Sequence, residues 1–294
     1  MQHCKEKAFV MFKGSIVALV TPFKNNSLDD QSFVNLIHWH NNSGTSAIVI
    51  CGSTGEGALL SDADREILIA LAVKESGIPI IVGCGAPATQ TVIDQVLQAQ
   101  RLGASGVLVV APYYCKTTQE GLYQHFKAVH DASNISILLY NNPGRTVVEI
   151  SVDVALRLFE LNRVVGIKDS TVDASRAALM RFGAKKSVCL LSGDDPYAAG
   201  YLAQGGDGLI SITANVQPGK MAQFIAAWKN GDIKNFQKLN LELMPLHYAM
   251  VVEPNPIPVK AAMKIIGKCL ADVRQPLVAA DDKTLKTLNY LLNH

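Results

Sequence analysis

The chain has 294 residues, 49% of them hydrophobic and 18% charged, with a formal net charge of +2 at neutral pH. That length holds one large domain or two modest ones, and a near-neutral balance without long runs of one sign excludes the basic footprint of nucleic-acid and membrane-surface binders. No apolar run reaches the ~20 residues that span a bilayer, and the N-terminus MQHCKEKAFVMFKGS lacks the apolar core of a signal peptide, so a cytoplasmic protein is expected.

Eight short β-branched runs follow one another along the chain, each ending in Gly, Pro, Ser, Thr, Asn or Asp. They are IVALV (16–20), AIVI (47–50), IPIIVG (78–83), GVLVVA (106–111), SILLYN (136–141), VVGIKD (164–169), VCLLSG (188–193) and GLISIT (208–213). Being apolar almost throughout, they read as strands covered on both faces. Between them stand helix-period segments such as DREILIALAVKES, ATQTVIDQVLQAQRLG and SVDVALRLFELN, the second closed by Gly103. Eight such βα units in about 250 residues predict a (β/α)8 barrel of the α/β class. A doubly wound open sheet is the rival, but no G-x-G-x-x-G follows the first strand. From Pro218 onward the pattern is helical, broken by the Pro-rich VVEPNPIPVK (251–260), which is expected to turn the chain. The domain reading is therefore a barrel over residues 12–225 and a helical extension over 226–294 packed on it.

Cys4, Cys51, Cys84, Cys115, Cys189 and Cys269 lie far apart and form no C-x-x-C pair, so they read as reduced thiols, those in apolar runs acting as small hydrophobes. His38 and His40 in HWH point to different faces of a helix, which argues against a shared metal, and no zinc or calcium spacing occurs elsewhere.

Chemistry in such a barrel sits at the C-terminal ends of the strands. Those ends offer Thr21, the run Gly52-Ser53-Thr54-Gly55-Glu56, Tyr113 and Tyr114, Tyr140 followed by Arg145, Lys168, Gly193 and Asp194, and Ser211. A lysine walled by apolar strands loses solvation, which favours the free amine, and a free amine among hydroxyl donors is what imine formation with a carbonyl substrate needs. The alternative is a lysine whose head reaches solvent or pairs with Asp169. Arg145 can grip a carboxylate through two parallel hydrogen bonds, and the Gly-Ser-Thr-Gly loop can hold another. Its alternative is a surface ion pair. The acids of SGDDP (192–196) stand where phosphate-binding barrels place glycines, so carboxylated, unphosphorylated substrates are expected.

GSTGE (52–56), PYY (112–114), YNNPGRT (140–146), GIKDST (166–171), SGDD (192–195) and GLISITANV (208–216) together resemble the pyruvate-dependent class I aldolase and lyase family, with QEGLYQHF (119–126) and VEPNPIPVK (252–260) extending the likeness. Its branches include the dihydrodipicolinate synthases and the N-acetylneuraminate lyases. The resemblance implies a Schiff base between pyruvate and Lys168, with Tyr140 as proton donor and acceptor. Ser53 and a Tyr114 lent by a neighbouring subunit complete the relay. Thr54 would bind the pyruvate carboxylate, Ile210 give a main-chain contact and Gly193 line the pocket. No cofactor or metal is implied, and a homotetramer built as a dimer of dimers is. Arg145 points to the branch that condenses pyruvate with aspartate semialdehyde in lysine and diaminopimelate biosynthesis; a neuraminate or 2-keto-3-deoxy-sugar-acid aldolase is the alternative. Ser53 departs from the threonine usual in the synthases but keeps the hydroxyl. Gly57, Asp62, Arg65, Pro87 and Thr91 replace the polar residues of lysine-inhibited members, although Tyr113 remains, so weak or absent feedback by lysine is expected. Two further classes remain on the sequence, a barrel that only binds an oxo-acid and a phosphosugar isomerase. GGDG (205–208), which a phosphosugar enzyme would use, reads better as the end of a helix before the eighth strand.

Overall fold

A computed structural model describes residues 9–293. All eight predicted strands form, each within one or two residues of its expected limits: β1 Gly14–Ala18, β2 Ala47–Ile50, β3 Ile80–Cys84, β4 Gly106–Val110, β5 Ser136–Asn141, β6 Val164–Asp169, β7 Cys189–Ser192 and β8 Gly208–Ser211. They pair in parallel around a closed ring in the order β1-β8-β7-β6-β5-β4-β3-β2. β1 closes the ring, with Ile16 opposite Ile210 on one side and Ala47 on the other. The helices are α1 Asp30–Asn41, α2 Asp62–Glu75, α3 Thr89–Arg101, α4 Gln119–Ala132, α5 Pro143–Thr146, α6 Val152–Phe159, α7 Ser175–Gly183, α8 Ala198–Ala203, α9 Pro218–Lys229, α10 Ile233–Ala249, α11 Ile257–Ile265 and α12 Asp282–Asn293.

The local signals account for these limits. Ser61 and Asp64 make a reciprocal capping box at the start of α2. Past the end of α3, Gly103 takes φ +88°, a left-handed position that glycine adopts without a steric penalty. Gly205 does the same after α8, so the GGDG run does end a helix. His38 is exposed and meets Glu75, whereas His40 is buried against Thr45, as expected for residues two apart on α1. Cys51, Cys84 and Cys189 are buried free thiols. Burial pushes Cys51 up to about 12, and Cys84 and Cys189 to about 11, so all three stay protonated and behave as small apolar groups. Cys4 lies outside the described residues, as does most of the N-terminal segment in which no signal is expected.

Alternating strand residues divide the core in two. Ile16, Ala18, Val49, Ile81, Leu108, Leu138, Val165, Leu191 and Ile210 fill the barrel, while the opposite faces of the same strands pack against the helices. Phe12 completes the interior at the N-terminal mouth. Its ring would meet a side chain at Gly106, its N–H donates to Cys189 Sγ at 3.1 Å, and Val10 N donates to Ser136 Oγ at 2.9 Å. The chain therefore crosses and seals that end. Among the described residues no helix is long and apolar enough to cross a membrane, and no cluster of three or more His, Cys, Asp or Glu is placed to hold a metal ion.

Candidate active site

Lys168 reaches the barrel interior because β6 breaks its own alternation. On β5, Leu138 and Tyr140 point inward and pair with Gly166 and Lys168. Val165 also points inward, and the register shifts between Ile137 and Leu138. A regular strand with Val165 inside would send Ile167 inside as well and turn Lys168 out into the helices; the irregularity resets the phase. Gly166 permits the crowding, since a Cβ there would lie 2.1 Å from the Cys189 carbonyl oxygen.

The lysine that results is 5% exposed, with Nζ 4.4 Å from the centre of the Tyr140 ring. Asp169 points the other way and is fully engaged there. Arg176 Nε donates to its Oδ2 at 2.8 Å, and Oδ1 accepts from Thr171 N and Oγ1 and from Asn141 Nδ2. Arg176 is held in turn by Glu149 and the Ile150 carbonyl. The expected alternative, a lysine neutralised by its neighbouring aspartate, is thus removed. Gly193 leaves room for the amine's stem: a Cβ there would lie 2.9 Å from Lys168 Cε.

Tyr140 is buried, and its phenol oxygen accepts from Asn142 Nδ2 at 2.8 Å, with the Ser53 hydroxyl close enough to lower its pKa. Burial pushes this phenol up, but the Lys168 ammonium, the Asn142 amide, the Arg145 charge and Ser53 together outweigh it and bring it down to about 8. A proton can therefore leave and return near neutral pH. Ser53 and Thr54 stand on a tight loop in which Cys51 and Glu56 both take positive φ and Gly57 N donates to the Gly52 carbonyl. Thr54 is 2% exposed, and its hydroxyl accepts from Asn255 Nδ2 at 2.9 Å. The Asn255 carbonyl accepts from Arg145 Nη2 at 3.2 Å. Arg145 itself is exposed at the mouth on α5 and makes no ion pair among the described residues. Ile210 is buried on β8, in the same interior cluster as Tyr140.

A cavity of ≈ 230 Å³ opens between β2, β3, β4 and β5, walled by Ser53, Tyr140, Arg145, Tyr113, Cys84 and Arg65, among others. Lys168 is not a wall residue; Tyr140, which is, lies against the amine. Arg65 is buried and bonds the Gly83 carbonyl at 3.0 Å, so its cation faces this space rather than bulk water. Tyr114 is not brought into the group. It is 90% exposed, at φ +72° on the loop after β4, and is not among the residues that wall the cavity.

The structure adds Asn255, which sequence reasoning treated only as part of a chain turn. Its side chain and carbonyl tie Thr54 to Arg145 across more than a hundred residues. Asp194 also faces the lysine region, its carboxyl held above the usual range by burial and by Asp195 against the pull of Lys168. The only sequence signal for Asn255 was the VEPNPIPVK resemblance itself.

The model of the dihydrodipicolinate synthetase family matches residues 11–294. A 4-hydroxy-tetrahydrodipicolinate synthase of Parvibaculum lavamentivorans is 45% identical over 94% of this chain and 97% of its own length, and that of Thermodesulfovibrio yellowstonii is 46% identical over 91% and 92%. Among solved structures, dihydrodipicolinate synthase from Aquifex aeolicus superposes with a TM-score of 0.94 at 39% identity, covering 96% of this chain and 97% of that one. The chloride-inhibited enzyme from Acinetobacter baumannii, complexed with pyruvate, gives 0.93 at 39% identity over 96% and 98%. With the barrel, the inward lysine and likeness along nearly its whole length, the chain belongs to the dihydrodipicolinate synthetase family.

Proposed function

We propose that this protein is a lyase that condenses pyruvate with L-aspartate 4-semialdehyde to 4-hydroxy-tetrahydrodipicolinate, in lysine and diaminopimelate biosynthesis, through an imine on Lys168. One observation carries the reading: a buried amine that makes no ion pair among the described residues, lying against a phenol whose proton is mobile near neutral pH. Lys168 Nζ attacks the keto carbon of pyruvate, and water leaves as Tyr140 supplies and recovers protons. Loss of a methyl proton gives the enamine. Its carbon attacks the aldehyde carbon of the second substrate, and the alkoxide formed takes a proton from the tyrosine relay. The substrate's own amine then adds to the imine carbon, closing the ring and releasing Lys168.

Thr54 and the N–H groups of its loop hold the pyruvate carboxylate, Ile210 contributes its main chain and Gly193 keeps the pocket open. Arg145 takes the semialdehyde carboxylate with the help of Asn255; a guanidinium at the mouth with no ion pair among the described residues favours this partner over a sugar acid. The protonated imine is the electron sink, so the reaction needs no cofactor. Ser53 passes protons between Tyr140 and the Tyr114 of a second copy, which the 90% exposure of that side chain supports. Such a relay requires at least a dimer, and a dimer of dimers in the cytoplasm completes the reading.

Pyruvate with borohydride should add one reduced pyruvate to Lys168, found by peptide mass, and Lys168→Ala should neither be labelled nor turn over. Labelling elsewhere, or turnover in the alanine variant, would end the imine reading. Parallel assays with aspartate semialdehyde and with neuraminate or keto-deoxy-sugar acids fix the partner.

A further inference from the structure

Glu56 and Lys260 form an ion pair in which neither side chain has exposed surface. The ammonium lies 2.6 Å from Glu56 Oε1, donates to the Asp272 carbonyl at 2.5 Å and sits 4.2 Å from the centre of the Phe23 ring. The second carboxylate oxygen accepts Arg274 N at 2.8 Å. Charges are thus buried between residues 204 positions apart, one on the loop after β2 and one on α11 of the C-terminal extension.

Holding a fold does not require this arrangement, because apolar groups of similar volume commonly stabilise as well as a buried ion pair. Glu56 also takes φ +54° and ψ +32°, a left-handed conformation that glycine adopts freely and a side chain resists. A residue kept there against both costs is holding something in place. Its own N–H donates to the Ser53 carbonyl at 3.2 Å, and Gly55 O accepts from Thr21 Oγ1 at 2.7 Å, so the loop bearing Ser53 and Thr54 ends on this anchor. The same extension reaches Thr54 Oγ1 through Asn255.

We propose that Glu56 and Lys260 are positioning residues that clamp the 52–56 loop to the C-terminal extension and thereby set Thr54 and the neighbouring N–H groups for capture of the keto-acid carboxylate. The inference rests on the assignment of that carboxylate to Thr54 made above. The full-length double variant Glu56→Gln/Lys260→Met removes both charges, nearly conserves volume and keeps an acceptor for Arg274 N–H. Its KM for pyruvate should rise about tenfold while kcat stays within about threefold, because a loop displaced by a fraction of an ångström loses alignment before it loses chemistry. Its melting temperature should not fall. A pair that only stabilises the fold would lower the melting temperature and leave KM for pyruvate unchanged, and an unchanged KM overturns the proposal. If the double variant does not fold, Glu56→Gln/Lys260→Gln, which also leaves no unpaired charge and keeps a donor for the Asp272 carbonyl, decides the same comparison, with a rise of about threefold expected and none overturning it. Borohydride labelling of the wild type separates the two failures. A labelled Lys168 with an unmoved KM removes the clamp alone, whereas an unlabelled wild type removes the imine reading and the clamp with it.

Discussion

The rim of β6 and the C-terminal extension each bury a lysine, 5% exposed at Lys168 and 0% at Lys260. Lys260 has a carboxylate at 2.6 Å, a carbonyl and the face of the Phe23 ring around it. The carboxylate next to Lys168 in sequence, Asp169, is already taken by Arg176, and the amine makes no ion pair among the described residues and lies against the face of a tyrosine. Arg176 and Arg65 repeat the contrast: the first is locked between Asp169 and Glu149, the second faces the cavity and, among the described residues, bonds a carbonyl and a thiol but no carboxylate. Paired buried cations hold elements together; of the two that make no ion pair among the described residues, Arg65 walls the cavity and Lys168 lies against Tyr140, which also walls it. Burial alone therefore does not separate a structural lysine from the one proposed to react; the partner that a neighbouring cation has removed does.

The contrast can be broken most severely at Arg176. Arg176→Leu leaves Asp169 buried without its cation and should cost about 3–5 kcal/mol of stability, read by urea unfolding, with much of it recovered in Arg176→Leu/Asp169→Asn. A loss under about 1 kcal/mol would mean that the pair holds nothing.

A smaller effect tests the unpaired side. With its phenol near 8, Tyr140 is mostly protonated below that pH and mostly ionised above it, so turnover limited by proton donation should fall as pH rises through about 8. Tyr140→Phe should lower kcat by about 10²–10³-fold and abolish that alkaline limb, as measured by pH-rate profiles. An alkaline limb retained in the phenylalanine variant would assign it to another group.

The smallest expected effect is none. Arg65 places a positive charge in the cavity where Tyr113 also lies, and an ammonium ligand meets repulsion there. Lysine at about 1 mM should leave the initial rate within about 20% of its uninhibited value, since like charges disfavour occupancy. Half-inhibition below that concentration would sink the expectation.

Much of the architecture was legible, since eight apolar runs at βα spacing leave few alternatives, and Gly103 and Gly205 mark where helices stop. The rim list also followed from strand ends, so Lys168, Tyr140, Ser53 and Thr54 could be placed on one face. Which way Lys168 points could not be read. VVGIKD has the same composition with or without the irregularity opposite Ile137, and that one-residue shift decides whether the amine enters the barrel. The partner of Asp169 was hidden for a related reason, because Arg176 sits on a helix whose docking only the closed ring fixes. VVEPNPIPVK shows another gap: prolines announce a turn, but the contacts from Asn255 and Lys260 to a loop some two hundred residues earlier leave no local trace.

Phe12 closes the far end of the barrel, and this constrains traffic. A barrel filled along its axis and capped at its base has one doorway, so each molecule that arrives over Tyr140 must be cleared by the same route before the next can enter. Anything lodged under that doorway, including the finished ring, is therefore expected to compete directly with the incoming keto acid.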